Sequence, residues 1–198
     1  MWKFILLILI FNLALTPGNF LLSQSEYKLL NYYPGTITLS DSTKLVGQIK
    51  ELNGVKPFKK VIFISSDGIE KKYKPSMVLR YSTQIKTYVS VQGKFMEVIH
   101  KGSRVSLLLH GKNKWFSTNF IGPGIPIIPF PTKKTTYYLQ REDPRFAKEV
   151  MKSMFKVVFS NYFKDCPELA ALISDGEYKH KDIRKIVWEY NACKSREN

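Results

Sequence analysis

Two cysteines, three histidines and one serine–lysine pair are the residues of this 198-residue chain whose types could do covalent or proton-transfer chemistry. Ser153-Met154-Phe155-Lys156 fits S-x-x-K, in which a lysine one helical turn away activates a serine for acyl transfer. The partner triplets of that machinery do not follow it: Lys134-Thr135-Thr136 is a poor K-T-G and precedes the serine. Ser153 and Lys156 therefore read as solvent-side helix positions. His100, His110 and His180 are not spaced as a metal pair on one helix face, and a lone strand histidine is more often a satisfied residue than a base. Cys166, Cys193 and His180 supply three ligands where a structural zinc site needs four, so no metal is expected. Glu142-Asp143 and Glu168 are explained as helix starts, where negative charge is stabilised. G-x-S-x-G, H-E-x-x-H, P-loop and dinucleotide glycine patterns do not occur, so no cofactor is expected either.

What remains for the cysteines is each other, and the start of the chain says why. Met1-Trp2-Lys3 sets a cation ahead of an apolar run, Phe4 to Leu15, that leads to Ser23-Gln24-Ser25, the layout of a secretory signal peptide over residues 1–25. The cut is expected near Ser25, with Gly18 the other candidate. Thr16-Pro17-Gly18-Asn19 breaks the run well short of the roughly 20 residues a spanning helix needs. Export to the periplasm, the outer-membrane surface or the exterior lets thiols oxidise and stay oxidised. Asp165-Cys166-Pro167-Glu168 reads as the N-cap and first turn of a helix carrying Leu169, Leu172 and Ile173 and stopping near Gly176. Ile183, Ile186, Val187 and Tyr190 recur at helical spacing up to Cys193. An antiparallel pair of these helices sets the start of the first beside the end of the second, where a Cys166–Cys193 disulfide would close the hairpin.

The elements upstream must be strands. Gly35 to Leu39 and Leu45 to Ile49 flank Ser40-Asp41-Ser42-Thr43, and Val61 to Ile64 and Ile69 to Tyr73 flank a turn with Asp67-Gly68. Phe95 to His100 and Arg104 to Leu109 turn at Lys101-Gly102, and Thr135 to Leu139 is the last strand expected. Asp143-Pro144 then opens a helix of about five turns with Phe146, Val150, Met154, Val158 and Tyr162 on one face. The fold class expected is α+β: an antiparallel β-rich body over 26–142, rolled or sandwich-like, followed by three C-terminal helices over 143–198 packed on it as one globular unit.

Charge is the next signal. Lysine and arginine number 31 against 16 acidic residues, a formal +15, less one when Lys3 leaves with the signal. An exported cation meets anionic partners such as envelope polymers and lipid headgroups, and holds them less firmly as salt rises. Lys56, Lys59, Lys60, Lys71, Lys72 and Lys74 cluster in and beside one hairpin, the candidate anion-binding set being Lys59, Lys60, Lys71, Lys72 and Lys74. The competing reading is a solvated lysine face that only aids solubility. Sequence-specific nucleic-acid binding is not expected, because no reading helix or RNP-like aromatic strand occurs. The oddest segment is the apolar loop Ile121 to Pro131, whose prolines exclude a central strand or helix. Ile125, Ile127, Ile128 and Phe130 form its tip, with Lys112, Lys114, Lys133 and Lys134 at its base. It is a candidate membrane or partner loop, unless it folds back to complete the core.

Tyr162-Phe163-Lys164-Asp165-Cys166-Pro167-Glu168-Leu169, then Tyr178, Asp182-Ile183, Ile186-Val187 and Tyr190-Asn191, resembles the tail of uncharacterised exported proteins of Bacteroidota. There a signal peptide and a strand-rich region similar to Gly35 to Ile49 and Val61 to Tyr73 precede the helical ending. The resemblance implies the fold order and an envelope location, and it implies no activity. The long apolar proline loop departs from it. The function expected is a non-enzymatic envelope protein that binds an anionic polymer, a membrane surface or a protein partner. Its alternatives are an envelope hydrolase or transferase, requiring His100 or His110 to meet a carboxylate, and a structural or assembly protein.

Overall fold

The computed structural model describes residues 31–116 and 130–193, with strand residues 113–116 and 130–133 described by backbone alone. The segment read as a signal, and Ile125, Ile127 and Ile128 of the proline loop, lie outside the described residues. Phe130 opens a strand and pairs with Phe116.

Turn chemistry fixes the hairpins. β1 (Tyr32–Leu39) and β2 (Lys44–Lys50) pair in register around a turn in which Asp41 accepts the Thr43 N–H at 2.9 Å. β3 (Val61–Ile64) and β4 (Glu70–Tyr73) close over Asp67-Gly68, where Gly68 takes φ 80°. β5 (Val78–Thr83) and β6 (Thr87–Val91) form a further hairpin, not singled out by the sequence because its polar residues blur the alternation. β6 turns into β7 (Lys94–His100) through Gln92-Gly93, both at positive φ, the geometry that suits the strand twist of a two-residue hairpin. β8 (Ser106–Phe116) and β9 (Phe130–Gln140) make the longest pair. With the short β10 (Lys148–Glu149), all ladders among the described residues are antiparallel, in the order β10-β9-β8-β7-β6-β5-β1-β2-β3-β4, and three α-helices follow: α1 (Phe155–Tyr162), α2 (Pro167–Asp175) and α3 (Ile183–Ala192). The protein is α+β.

The sheet is rolled. Phe58, in a 3₁₀ turn between β2 and β3, stacks edge-on to Tyr88 of β6 at 5.9 Å and to His110 of β8 at 5.3 Å. In a flat sheet β2 and β8 would stand roughly 24 Å apart at about 4.8 Å per strand. One core cluster accordingly gathers Ile37, Ile49, Phe63, Tyr73, Tyr81, Tyr88 and Phe95 from seven successive strands. Gly35 and Gly47 are cross-strand partners at the bend, and a Cβ on Gly47 would overlap the Ile64 carbonyl and the Phe63 ring. A second core joins Val105, Leu107 and Leu139 to the helices through Phe159, Phe163, Leu169, Ile173, Ile186 and Tyr190.

The five-turn helix expected from Asp143 is corrected. Residues 143–154 are not helical: Lys148–Glu149 form the short strand β10 against Leu139 and Tyr138, and the Val150 N–H donates to the Tyr137 carbonyl at 2.8 Å. The spacing of Phe146, Val150 and Met154 imitates a helix period, but the unpaired edge of β9 supplies backbone partners that a helix would forgo. Phe146 and Met154, assigned to the buried face, stand 58% and 69% exposed, and α1 starts only at Phe155.

Candidate anion-binding groove

The link between β2 and β3 is anchored from inside. Val55 and Phe58 are buried and Pro57 opens the 3₁₀ turn, so Lys56 and Lys59 are left facing solvent and Lys60 stays half-buried. On β4 the buried Tyr73 fixes the alternation, which places Lys72 and Lys74 together on the opposite side. These two segments face one another across a groove of about 500 Å³ lined by Lys56, Lys59, Lys60, Lys72, Lys74, Tyr73 and Pro75. Lys59, Lys60, Lys72 and Lys74 of the expected set therefore come together. Lys71 is exposed but does not line the groove.

Lys60 also lines a neighbouring hollow with Lys50, Lys86, Glu51, Tyr33, Tyr81 and Tyr88. Lys50 and Lys86 were not among the sequence candidates: Lys50 ends β2 and Lys86 lies in the turn between β5 and β6, and the folded sheet sets both beside Lys60. Burial pushes the Tyr81 and Tyr88 hydroxyls well above the ordinary tyrosine range, so both stay neutral, and Tyr81 donates to the Pro57 carbonyl at 2.8 Å. The two depressions share one cation and together present seven lysines to a single lining carboxylate, Glu51. Among the described residues one ion pair touches this set, Lys72 with Glu70 at 4.0 Å between exposed side chains. β4 is also the outermost strand of the sheet, where lysines deter further strand addition. That role accounts for lysines on β4, and it does not account for the facing set on the β2–β3 link.

Two of the three histidines bond to backbone carbonyls. His110 donates from Nδ1 to the Phe95 carbonyl at 3.1 Å, and burial holds its pKa below the ordinary histidine value. His180 donates from Nε2 to the Val150 carbonyl at 3.0 Å and packs edge-on to Phe155. Among the described residues no hydrogen bond or ion pair joins His100 or His110 to a carboxylate, and no group of three or more His, Cys, Asp or Glu could hold a metal ion. Lys156 reaches the Asp175 carbonyl at 3.2 Å.

A polar cleft of about 280 Å³ lies where the helices meet β8 and β9. The sulfurs of Cys166 and Cys193 stand 2.08 Å apart, at disulfide distance, joining the start of α2 to the end of α3. Asp165 is not the N-cap expected of it; Cys166 takes that position. The Asp165 carboxylate instead binds the Arg104 guanidinium at 2.6 Å and that of Arg141 at 3.2 Å, and accepts the Tyr190 hydroxyl. Burial alone would raise the Asp165 pKa, but the Tyr190 and Arg141 hydrogen bonds prevail and hold it below the ordinary value. Tyr190 in turn is pushed up to about 12 by burial and by its bond to Asp165. Arg104 also donates to the Tyr190 and Cys193 carbonyls and stacks 4.2 Å over the Tyr190 ring. Asn191 receives the Arg104 and Val105 N–H groups and donates to the Val105 and Val187 carbonyls, so its whole amide is satisfied. Both arginines and the Tyr190 hydroxyl are thus engaged within the protein. The cleft is a latch that fastens the helical tail to the sheet.

Fold and groove together define a basic α+β protein with a rolled antiparallel sheet and a cross-linked helical tail. Compared with protein-family profiles, with curated proteins and with solved structures, the chain matches none of them.

Proposed function

We propose that the protein is a non-enzymatic, exported binding protein of the cell envelope that holds an anionic polymer along the lysine groove and its neighbouring hollow. The observation that carries this reading is the sharing of Lys60 by two adjoining cationic depressions. A small anion needs one such depression, whereas a chain of repeated charges gains from successive contacts. The N-terminal pattern and the resemblance to exported Bacteroidota proteins support the location, and the cysteine pair suits an oxidising compartment. Lysine side chains at the surface bind weakly one by one and are screened by salt, so affinity must come from their number.

Dextran sulfate and neutral dextran of equal length test the proposal by titration calorimetry at low and moderate salt. Binding should occur to the sulfated chain alone and weaken as salt rises. A variant with Lys59→Gln, Lys60→Gln, Lys72→Gln and Lys74→Gln should lose binding at least tenfold. A charge-matched variant with Lys152→Gln, Lys156→Gln, Lys179→Gln and Lys181→Gln should lose far less. Equal losses would show that net charge alone attracts the polymer and would end the assignment to the groove.

A further inference from the structure

Among the described residues, a face away from the lysine groove combines exposed apolar side chains with concentrated charge. It lies where the start of α1 meets the connection from α2 to α3, an open depression of about 670 Å³. Phe155, buried, and Tyr178, half-buried, form its floor. Met154 and Val157 line it while standing 69% exposed each. Lys152, Lys156, Lys179, Lys181 and His180 complete it, and no lining residue is a carboxylate.

The backbone at Met154 is the second observation. It takes φ 58°, the left-handed region that is unfavourable for a residue with a side chain and that glycine or asparagine adopts more readily. A methionine held there with its side chain in water is unfavourable on both counts. Strain of this kind persists where the surrounding fold enforces it and often marks a working surface. The rest of the turn is well fixed: Lys156 reaches the Asp175 carbonyl above Gly176, and His180 is bound to the Val150 carbonyl.

We infer that this face is a peripheral contact for an anionic phospholipid bilayer, with Met154 and Val157 entering the headgroup boundary and the four lysines meeting lipid phosphates. Charge complementarity selects an anionic occupant, and the depression is open with its two apolar side chains projecting outward. That shape suits a plane into which side chains dip, whereas a single acyl chain needs an enclosing slot. Lysines within a Debye length of an anionic leaflet add attraction that salt removes. No helix among the described residues is long and apolar enough to cross a membrane. The inference does not depend on the polymer groove.

Co-sedimentation with vesicles of phosphatidylcholine alone, and of phosphatidylcholine with 30% phosphatidylglycerol, tests it. Binding is expected to the anionic vesicles and to fall with salt. Met154→Gly combined with Val157→Ser should weaken it at least tenfold. Because glycine relieves the strain at 154, thermal stability should not fall in the single Met154→Gly variant, which separates lipid contact from folding. The variant with Lys59, Lys60, Lys72 and Lys74 changed to glutamine should keep most of its vesicle binding, even if it no longer binds polymer. Unchanged vesicle binding in the Met154→Gly, Val157→Ser protein would overturn the inference, as would absence of binding by the unmodified protein. Capture of an acidic amphipathic peptide without vesicle binding would overturn it in favour of a protein partner.

Discussion

Replacing both cysteines by alanine should cost the folded protein about 3.5 kcal/mol at 25 °C. The figure follows from the 27-residue separation of Cys166 and Cys193, since closing a loop of that length removes this much entropy from the unfolded chain in the chain-entropy account. The native side of the balance changes less. Arg104 bonds the Tyr190 and Cys193 carbonyls and the Asp165 carboxylate, so the same two helix ends remain fastened when the bond is absent. The Cys166→Ala, Cys193→Ala protein should therefore fold to the same structure with lower stability. For a domain of this size the thermal midpoint should drop by roughly 7 to 14 °C. Urea unfolding followed by tryptophan fluorescence measures the free energy directly, and circular dichroism tests retention of the helices. Adding Arg104→Gln to the cysteine-free protein should cost more than adding it to the cross-linked one, because two restraints on one pair of ends substitute for each other. A loss below about 1 kcal/mol would refute the reasoning, since it would mean that the unfolded chain already keeps the two helix ends together.

Asp165→Asn should lower stability at neutral pH by about 1 to 2 kcal/mol, a figure held down because the carboxylate is 40% exposed. The folded-state pKa of Asp165 is depressed, so its contribution is present above the unfolded value near 3.9 and is lost as pH falls through the folded one. The gap between unmodified protein and Asp165→Asn, read from unfolding curves, should then shrink below about pH 4. Gly47→Ala should destabilise by more than about 2 kcal/mol, because the added carbon meets the Ile64 carbonyl of the adjoining strand and has nowhere to move. The same change at exposed Gly54 meets no atom, yet it forces alanine into φ 68° and should cost about 1 kcal/mol, as a comparison of midpoints will show.

The sequence by itself determined what short-range chemistry decides. Asp67-Gly68 and Ser40 to Thr43 announce their hairpins because a turn's φ and side-chain bonds are set within a few residues. Ile183, Ile186, Val187 and Tyr190 announce α3 because one helix face must be buried, and the adjacency of Cys166 and Cys193 follows from two helices running opposite ways. The lysines of the groove were legible as a cluster, because Lys56, Lys59 and Lys60 lie close in the chain to Lys71, Lys72 and Lys74. Which of them face one another was not. That depended on how the β2–β3 link folds against β4 and on the strand order, which sets Lys86 of the β5–β6 turn beside Lys50 and Lys60. Residues 143–154 and Asp165 show the same limit. Their local patterns fit a helix and a helix cap, but a strand edge left open by β9 and two arginines, Arg104 ahead of β8 and Arg141 just after β9, offered better partners. Such partners come from far along the chain, and only the folded arrangement decides which polar group each of them meets.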